Sequence, residues 1–319
     1  MKKRHKIIFA VSGIVSFISA IVIIVTLASR GSAAGNGDPA GRPGEESQAM
    51  QGTVETDNPG VGGRYTYFPD PVFISWSVSG LKDQVIDWKD ENLKQAMIKA
   101  TGIADRDIML SDVWEMEELA LVGCDIIDIS ALGCMHNLTD LSLSGNQISD
   151  ISALKYLVNL CELNLGSNQI SDISALKGLS KLEYLYLGDN RISDISPLSG
   201  AGNLTALYLP GNDISDIGAL SRLQKLVKLS LSSNQISEIG ALKNMKDMSD
   251  LNLSGNQISD VSPLRGLTNI NYLNLENNRI SDISALSGLV NLYYLYLGNN
   301  QIDDFSVLDE LENLVELYK

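Results

Sequence analysis

The sequence predicts an α/β repeat solenoid, with a parallel β-sheet along one wall, 3₁₀ or irregular segments returning behind it, and a helical cap at the amino end. Three observations predict it. Asn146, Asn168, Asn190, Asn212, Asn234, Asn256, Asn278 and Asn300 stand 22 residues apart without an insertion. A period of tens of residues held this strictly marks units that each cover the apolar side of a neighbour. Within a unit, Leu141 and Leu143 alternate with Asp140, Ser142 and Ser144, the period-two pattern of a short strand with one buried face. Ahead of the array, Leu93, Met97 and Ala100 share one side of a segment that opens at Asp90 and stops at Gly102, an amphipathic helix with both caps in place.

Stacked in parallel, the strands line one long wall. Asn146 falls where the chain leaves the sheet, and an amide placed there bonds backbone groups of the bend and of the next coil. Left buried and unpaired, those groups would cost about 1 to 3 kcal/mol each. Ile148, Ile151, Leu154 and Leu157 turn inward from the return segment, where Ser149, Asp150 and Ser152 favour tight 3₁₀ turns over a long helix. The frame extends upstream to Met116, Leu119, Leu121 and Ile126, with Cys124 in the asparagine slot. Nine full units run from Met116 to Asn313, and a tenth strand begins at Leu314, so the repeats occupy 116–319.

This unit resembles the leucine-rich repeat in its 22-residue class. The phrase Asn-Gln-Ile-Ser-Asp-Ile-Ser-Ala-Leu at 168–176 resembles the bacterial internalin surface proteins, and Asp90 to Ala96, with Asp107-Ile108 and Ser111-Asp112-Val113, is similar to the helical cap that opens the internalin array. The resemblance covers about Trp88 to Lys319. It implies a horseshoe with the sheet on its concave face, and a non-enzymatic protein that recognises another protein. Similar 22-residue arrays occur in intracellular phosphatase regulators, which supplies the alternative of a regulatory or scaffolding subunit inside the cell.

The amino terminus bears on that choice. Residues 1–6 carry Lys2, Lys3, Arg4 and Lys6, and Ile7 to Ser29 then runs 23 residues without a charge. At about 1.5 Å per residue that is about 35 Å of helix, enough for a hydrocarbon core of about 30 Å. The segment reads as a transmembrane anchor or, given the small residues at Ser32, Ala33 and Ala34, as a cleaved signal sequence. In both cases the positive-inside bias leaves residues 1–6 as a cytoplasmic stub and puts the repeats outside, at the cell surface or secreted. Arg30 to Arg64 holds nine Gly and three Pro, a flexible stalk with a reach of about 30 to 35 Å. Residues 65–115 form the cap region, in which Tyr67, Phe68 and Phe73 cover the solenoid end or present an aromatic patch.

Composition excludes several functions. The net charge is −15, and from Tyr65 onward 17 Lys and Arg face 34 Asp and Glu. Such a surface repels phosphate backbones, so no nucleic acid is expected, and the acidity serves either solubility or a basic protein partner. Cys124, Cys134 and Cys161 show no paired metal spacing, and Cys124 reads as packing. His5 and His136 are the two histidines. His136 stands alone in the repeats as a solvated corner residue, which leaves no histidine pair for a zinc site and no triad pattern. No catalytic residue, cofactor or metal is expected. The acids Asp150, Asp172, Asp194, Asp216, Glu238, Asp260, Asp282 and Asp304 recur on the return segment, where accepting a local turn amide competes with calcium binding.

A ligand would meet the outward positions of the strands. Tyr184, Tyr186 and Tyr208 form one group there; Tyr272, Tyr294 and Tyr296 form a second, with Tyr293 and Tyr318 beside it, and Lys228, Asp250, Asn252 and Asn274 make a polar waist between them. Tyrosine offers area, a polar tip and little rotamer entropy to lose, as at recognition surfaces. It also favours strands and pairs across a ladder without any ligand. Ten strands at about 4.8 Å give a wall about 43 Å long, the size of a standard protein interface. The outer edge of the last strand is open to pairing with a second copy of the chain.

Overall fold

A computed structural model describes residues 83–319. The expectations for the stub (1–6), the apolar segment (7–29), the stalk (30–64) and the first part of the cap region (65–82) lie outside the described residues. Among the described residues no helix is long and apolar enough to cross a membrane.

The repeats form one sheet of ten parallel strands in chain order. They are β1 (Glu118–Ala120), β2 (Asp140–Ser142), β3 (Glu162–Asn164), β4 (Tyr184–Tyr186), β5 (Ala206–Tyr208), β6 (Lys228–Ser230), β7 (Asp250–Asn252), β8 (Tyr272–Asn274), β9 (Tyr294–Tyr296) and β10 (Glu316–Tyr318). The fold class is the one the period predicts. Register never slips: Leu119 pairs with Leu141, Leu141 with Leu163 and Leu163 with Leu185, so equivalent residues stand in rows across the sheet. A slip of one residue would turn every leucine to solvent.

The core explains the register. Leu138, Leu141, Leu143, Ile148, Ile151, Leu154 and Leu157 of one unit are each at most 2% exposed, and the same positions are buried in the following units as far as Leu297, beyond which Ile302 and Phe305 are half-buried. Each such side chain contributes about 1.5 to 3 kcal/mol as an upper bound. The strands are three residues long because the chain must turn at the asparagine slot to reach its 3₁₀ return, as at Ser152–Tyr156 and Ser174–Gly178. Asp150 accepts the Ser152 amide at 2.8 Å and Asp172 the Ser174 amide at 2.8 Å, so where the recurring acid is an aspartate it opens the return.

A left-handed residue recurs just before the asparagine slot. Gly123, Gly145, Ser167, Asp189, Gly211, Ser233, Gly255, Asn277 and Asn299 all have φ between 54° and 70°. From Gly123 to Asn277 each points its amide at the next coil, as Ser233 does to the Ser254 carbonyl at 2.8 Å.

At the amino end, α1 (Glu91–Thr101) buries Leu93 and Met97 against the first coil. Asp90 caps it by accepting the Leu93 amide at 2.9 Å, and Gly102 at φ 74° closes it. A four-residue helix, α2 (Leu110–Val113), follows. It is steadied by Arg106, whose guanidinium donates twice to the Asp112 carboxylate at 2.6 and 2.7 Å. Val85 bridges Met109 in antiparallel fashion.

Candidate functional site: the outward face of the sheet

Two outward rows follow from the register. The first runs Asp140, Glu162, Tyr184, Ala206, Lys228, Asp250, Tyr272, Tyr294, and the second Asn164, Tyr186, Tyr208, Ser230, Asn252, Asn274, Tyr296, Tyr318. Strand spacing therefore decides which rings meet. Tyr186 and Tyr208 lie parallel at 4.6 Å and 3°, and Tyr296 and Tyr318 at 4.7 Å and 7°. These separations match the strand spacing of about 4.8 Å. Tyr272 tilts against Tyr296 at 5.5 Å and against Tyr294 at 6.5 Å. The two groups are thus stacked platforms, five strands apart.

Stacking shields part of each ring and leaves the rest in solvent. Tyr184 is 37% and Tyr294 42% exposed, while Tyr186, Tyr208, Tyr272 and Tyr296 are half-buried. Burial pushes the Tyr186 phenol up to about 12, helped by Tyr208 and by the charge of Glu162. Burial and then Asp250 raise Tyr208 in the same direction, and burial and then Glu316 raise Tyr296. These phenols stay neutral donors near pH 7, able to serve a carbonyl or carboxylate.

The polar waist is engaged with its own backbone. Asn252 accepts from the Ser254 amide at 3.0 Å, and Asn274 accepts from the Glu276 amide at 3.0 Å while donating to Glu276 at 3.4 Å. Asn164 does the same for Gly166 at 3.1 Å. These amides shape the turn below the sheet.

The asparagine slots hold the coils together. Asn212 accepts the Ile192 amide at 2.9 Å and donates to the carbonyls of Leu187, Leu209 and Pro210 at 3.0, 3.2 and 3.2 Å. Asn146, Asn168, Asn190, Asn234, Asn256, Asn278 and Asn300 repeat the pattern. The bonds to Leu209 and Pro210 stay within the residue's own bend, as expected, while those between coils run to the preceding coil, opposite to the direction read from the sequence. Between coils, the amide stands one coil further on than the groups it serves. Cys124, in the first slot, donates weakly to the Val122 carbonyl at 3.5 Å.

A second asparagine ladder, which the sequence pattern does not make evident, runs alongside the first. Asn137, Asn159, Asn203, Asn269, Asn291 and Asn313 each donate to a carbonyl 23 residues earlier, at 2.7 to 2.9 Å. Its signal was the same period of 22, interrupted by Lys181, Lys225 and Asp247. Lys181 and Lys225 extend it by donating to Asn159 and Asn203 at 2.7 and 2.8 Å.

Other candidates are accounted for by local structure. Turn amides hold the carboxyls of Asp150, Asp194, Asp282 and Asp304 below the usual carboxylate range. Among the described residues no group of three His, Cys, Asp or Glu is placed to hold a metal ion. His136 lies 3.3 Å from the Tyr156 carbonyl, edge-on to Trp114. The three thiols are free, and burial pushes each of them up.

Comparison with known proteins decides the family. The profile of the family "Leucine Rich repeats (2 copies)" matches residues 115–156, 158–200, 202–244, 224–266, 246–288 and 268–313. The chain belongs to the leucine-rich repeat family. Within it the chain is similar to internalins. An internalin (InlF) from Listeria monocytogenes shares 32% identity over 72% of this chain and 81% of its own, with a TM-score of 0.50. Internalin C2 (InlC2) of the same organism shares 30% over 72% of this chain and 92% of its own, with a TM-score of 0.58. The functional domain of InlJ from Listeria monocytogenes, which includes a cysteine ladder, shares the fold at 22% identity over 74% of this chain and 56% of its own, with a TM-score of 0.59. Comparison with curated protein sequences gives no significant match. The leucine-rich repeat frame thus accounts for the rows, the asparagine slots and the returns as one internalin-like array.

Proposed function

We propose that this protein is a non-enzymatic recognition module that binds a protein partner on the outward, concave face of its leucine-rich repeats. Tyr184, Tyr186, Tyr208, Tyr272, Tyr294 and Tyr296 are its contact residues. The observation that carries this reading is the placement of two stacked tyrosine platforms at solvent-facing positions, where the core has no need of them. Exposed aromatic area on a rigid sheet binds with little entropy to lose. The internalin relationship supports the same reading.

The site is placed outside the cell, tethered through residues 7–29 or secreted after their cleavage, on the strength of the uncharged run and the lysines before it. Membrane fractionation with protease shaving of intact cells tests the placement. Digestion of the repeats is the expected result, and protected repeats would favour the intracellular regulatory reading instead. Homodimerisation through the outer edge of β10 belongs to the same proposal and is read by analytical ultracentrifugation.

The binding role is tested by capture from surface extracts with the full chain and with a Tyr294→Ser/Tyr296→Ser variant, side by side. Loss of the captured protein with an unchanged melting temperature is expected. Equal capture by both would remove the carboxyl-terminal platform from the site.

A further inference from the structure

The amino-terminal half of the sheet face carries charge of one sign. Asp140 and Glu162 are register partners on β2 and β3, and Tyr184 continues their row on β4. Glu183, one residue before Tyr184, donates its amide to the Cys161 carbonyl at 2.8 Å and so flanks that row. Burial raises the Glu162 carboxyl above its ordinary value, and the charges of Asp140 and Glu183 raise it further. Among the described residues the ion pair lies elsewhere, between Arg106 and Asp112 of the cap. Lys181, the cation beside this patch, is held by Asn159 at 2.7 Å. The sheet beneath is fixed by a buried leucine row, so the backbone positions that carry these carboxylates are held at the strand spacing. A cation brought by a partner relieves that repulsion.

The neighbouring aromatic rings narrow the kind of cation. Tyr184 stands next to Glu162 in the row, and Tyr186 and Tyr208 stack beside it. A guanidinium forks onto a carboxylate and lies flat on an aromatic ring, whereas an ammonium offers a point charge. We propose that this half of the face receives an arginine-bearing basic segment of a protein partner. Its guanidinium groups pair with Asp140, Glu162 and Glu183 and stack on Tyr184 and the Tyr186–Tyr208 platform. This rests on the reading of the sheet face as the binding surface, and it names the chemistry that face selects. The outer acids Asp150, Asp172 and Asp194 do not share the role, since each accepts a turn amide behind the sheet.

The test uses labelled nona-arginine and nona-lysine peptides, with fluorescence anisotropy against the full 319-residue chain at about 150 mM salt. Asp140→Asn/Glu162→Gln/Glu183→Gln is compared with Asp150→Asn/Asp172→Asn/Asp194→Asn, which removes equal charge from the outer side and keeps an oxygen for each turn amide. Nona-arginine is expected to bind more tightly than nona-lysine. The face triple should weaken nona-arginine about tenfold and the outer triple less than about twofold. The single Glu162→Gln variant, which changes no shape, should lose about threefold and covers the case of a triple that does not fold. Equal losses in the two triples would mean that the peptide reads diffuse acidity, and the proposal falls. It also falls if the face triple binds as the parent does. A captured partner that depends on Tyr294 and Tyr296 but not on the face acids would overturn this inference and leave the proposed function standing.

Discussion

Asp90 and Ile127 are joined across 37 positions, the Asp90 Oδ2 accepting the Ile127 amide at 2.7 Å. The same oxygen accepts the Asp128 amide at 2.9 Å, while Oδ1 caps α1 through Leu93. One carboxylate therefore starts the cap helix and fastens it to the first coil. Burial would raise its pKa, but these amides more than offset that and hold it below the ordinary value.

Asp90→Ala should cost about 2 kcal/mol, combining a lost helix cap with orphaned amides at the cap–coil junction. Urea unfolding reads the loss. Because the folded pKa is depressed, Asp90 contributes stability that is present above the unfolded carboxyl value of about 3.9 and is lost as pH falls through the folded value. The gap between parent and Asp90→Ala should therefore close in acid, and a gap that stays constant would assign the effect to packing.

The asparagine slots make a second prediction. Asn212→Ala strands the Ile192 amide inside the array, leaves the Leu187 carbonyl with the Asn190 amide alone, and should cost about 2 to 3 kcal/mol by chemical denaturation. Cys124→Ala, in the first slot, removes one weak sulfur contact and should cost less than about 1 kcal/mol. Similar losses at the two sites would show that side-chain volume, not the amide, decides the slot.

The left-handed column makes a third. Ser233 sits at φ 56°, a conformation that costs an L residue about 1 to 2 kcal/mol. Ser233→Gly should raise stability by about 0.5 to 1 kcal/mol. Gly211→Ala should lower it, since φ is +63° and the new Cβ would lie 2.6 Å from Asp189 Oδ1. Thermal unfolding of both variants checks the pair of signs.

Alkaline titration tests the amino-terminal platform. The Tyr186 phenol, pushed up to about 12, favours the folded chain at neutral pH; that contribution is complete below the unfolded value of about 10 and is lost as pH rises from there. Tyr186→Phe should flatten the fall in melting temperature above pH 10, and ultraviolet absorbance should show one fewer late-ionising phenol. An unchanged profile would mean that the ring is solvated rather than shielded by Tyr208.

The sequence was most legible where geometry repeats. A period of 22 with leucines in fixed phase leaves a single way to stack the coils, and Asp90 with Gly102 bounds α1 by local chemistry alone. Contacts between coils were harder to read. Whether Asn212 serves the coil before or after it depends on the stagger of successive turns, and nothing in one unit states that. The second ladder was hidden because Lys181, Lys225 and Asp247 break its run. The ring stacking of Tyr186 on Tyr208 and the crowding of Asp140, Glu162 and Glu183 both arise from register, which places side by side residues that are about one repeat or more apart in the chain.

Because every slot asparagine addresses the coil immediately before it, the array is indifferent to how many coils it contains. A gain or loss of one whole unit between Tyr208 and Tyr296 would leave each linkage intact and shift the two platforms by a single step of about 4.8 Å. Recognition distance in this molecule is therefore an integer, and gene duplication or unequal crossing-over can retune it without redesigning any contact.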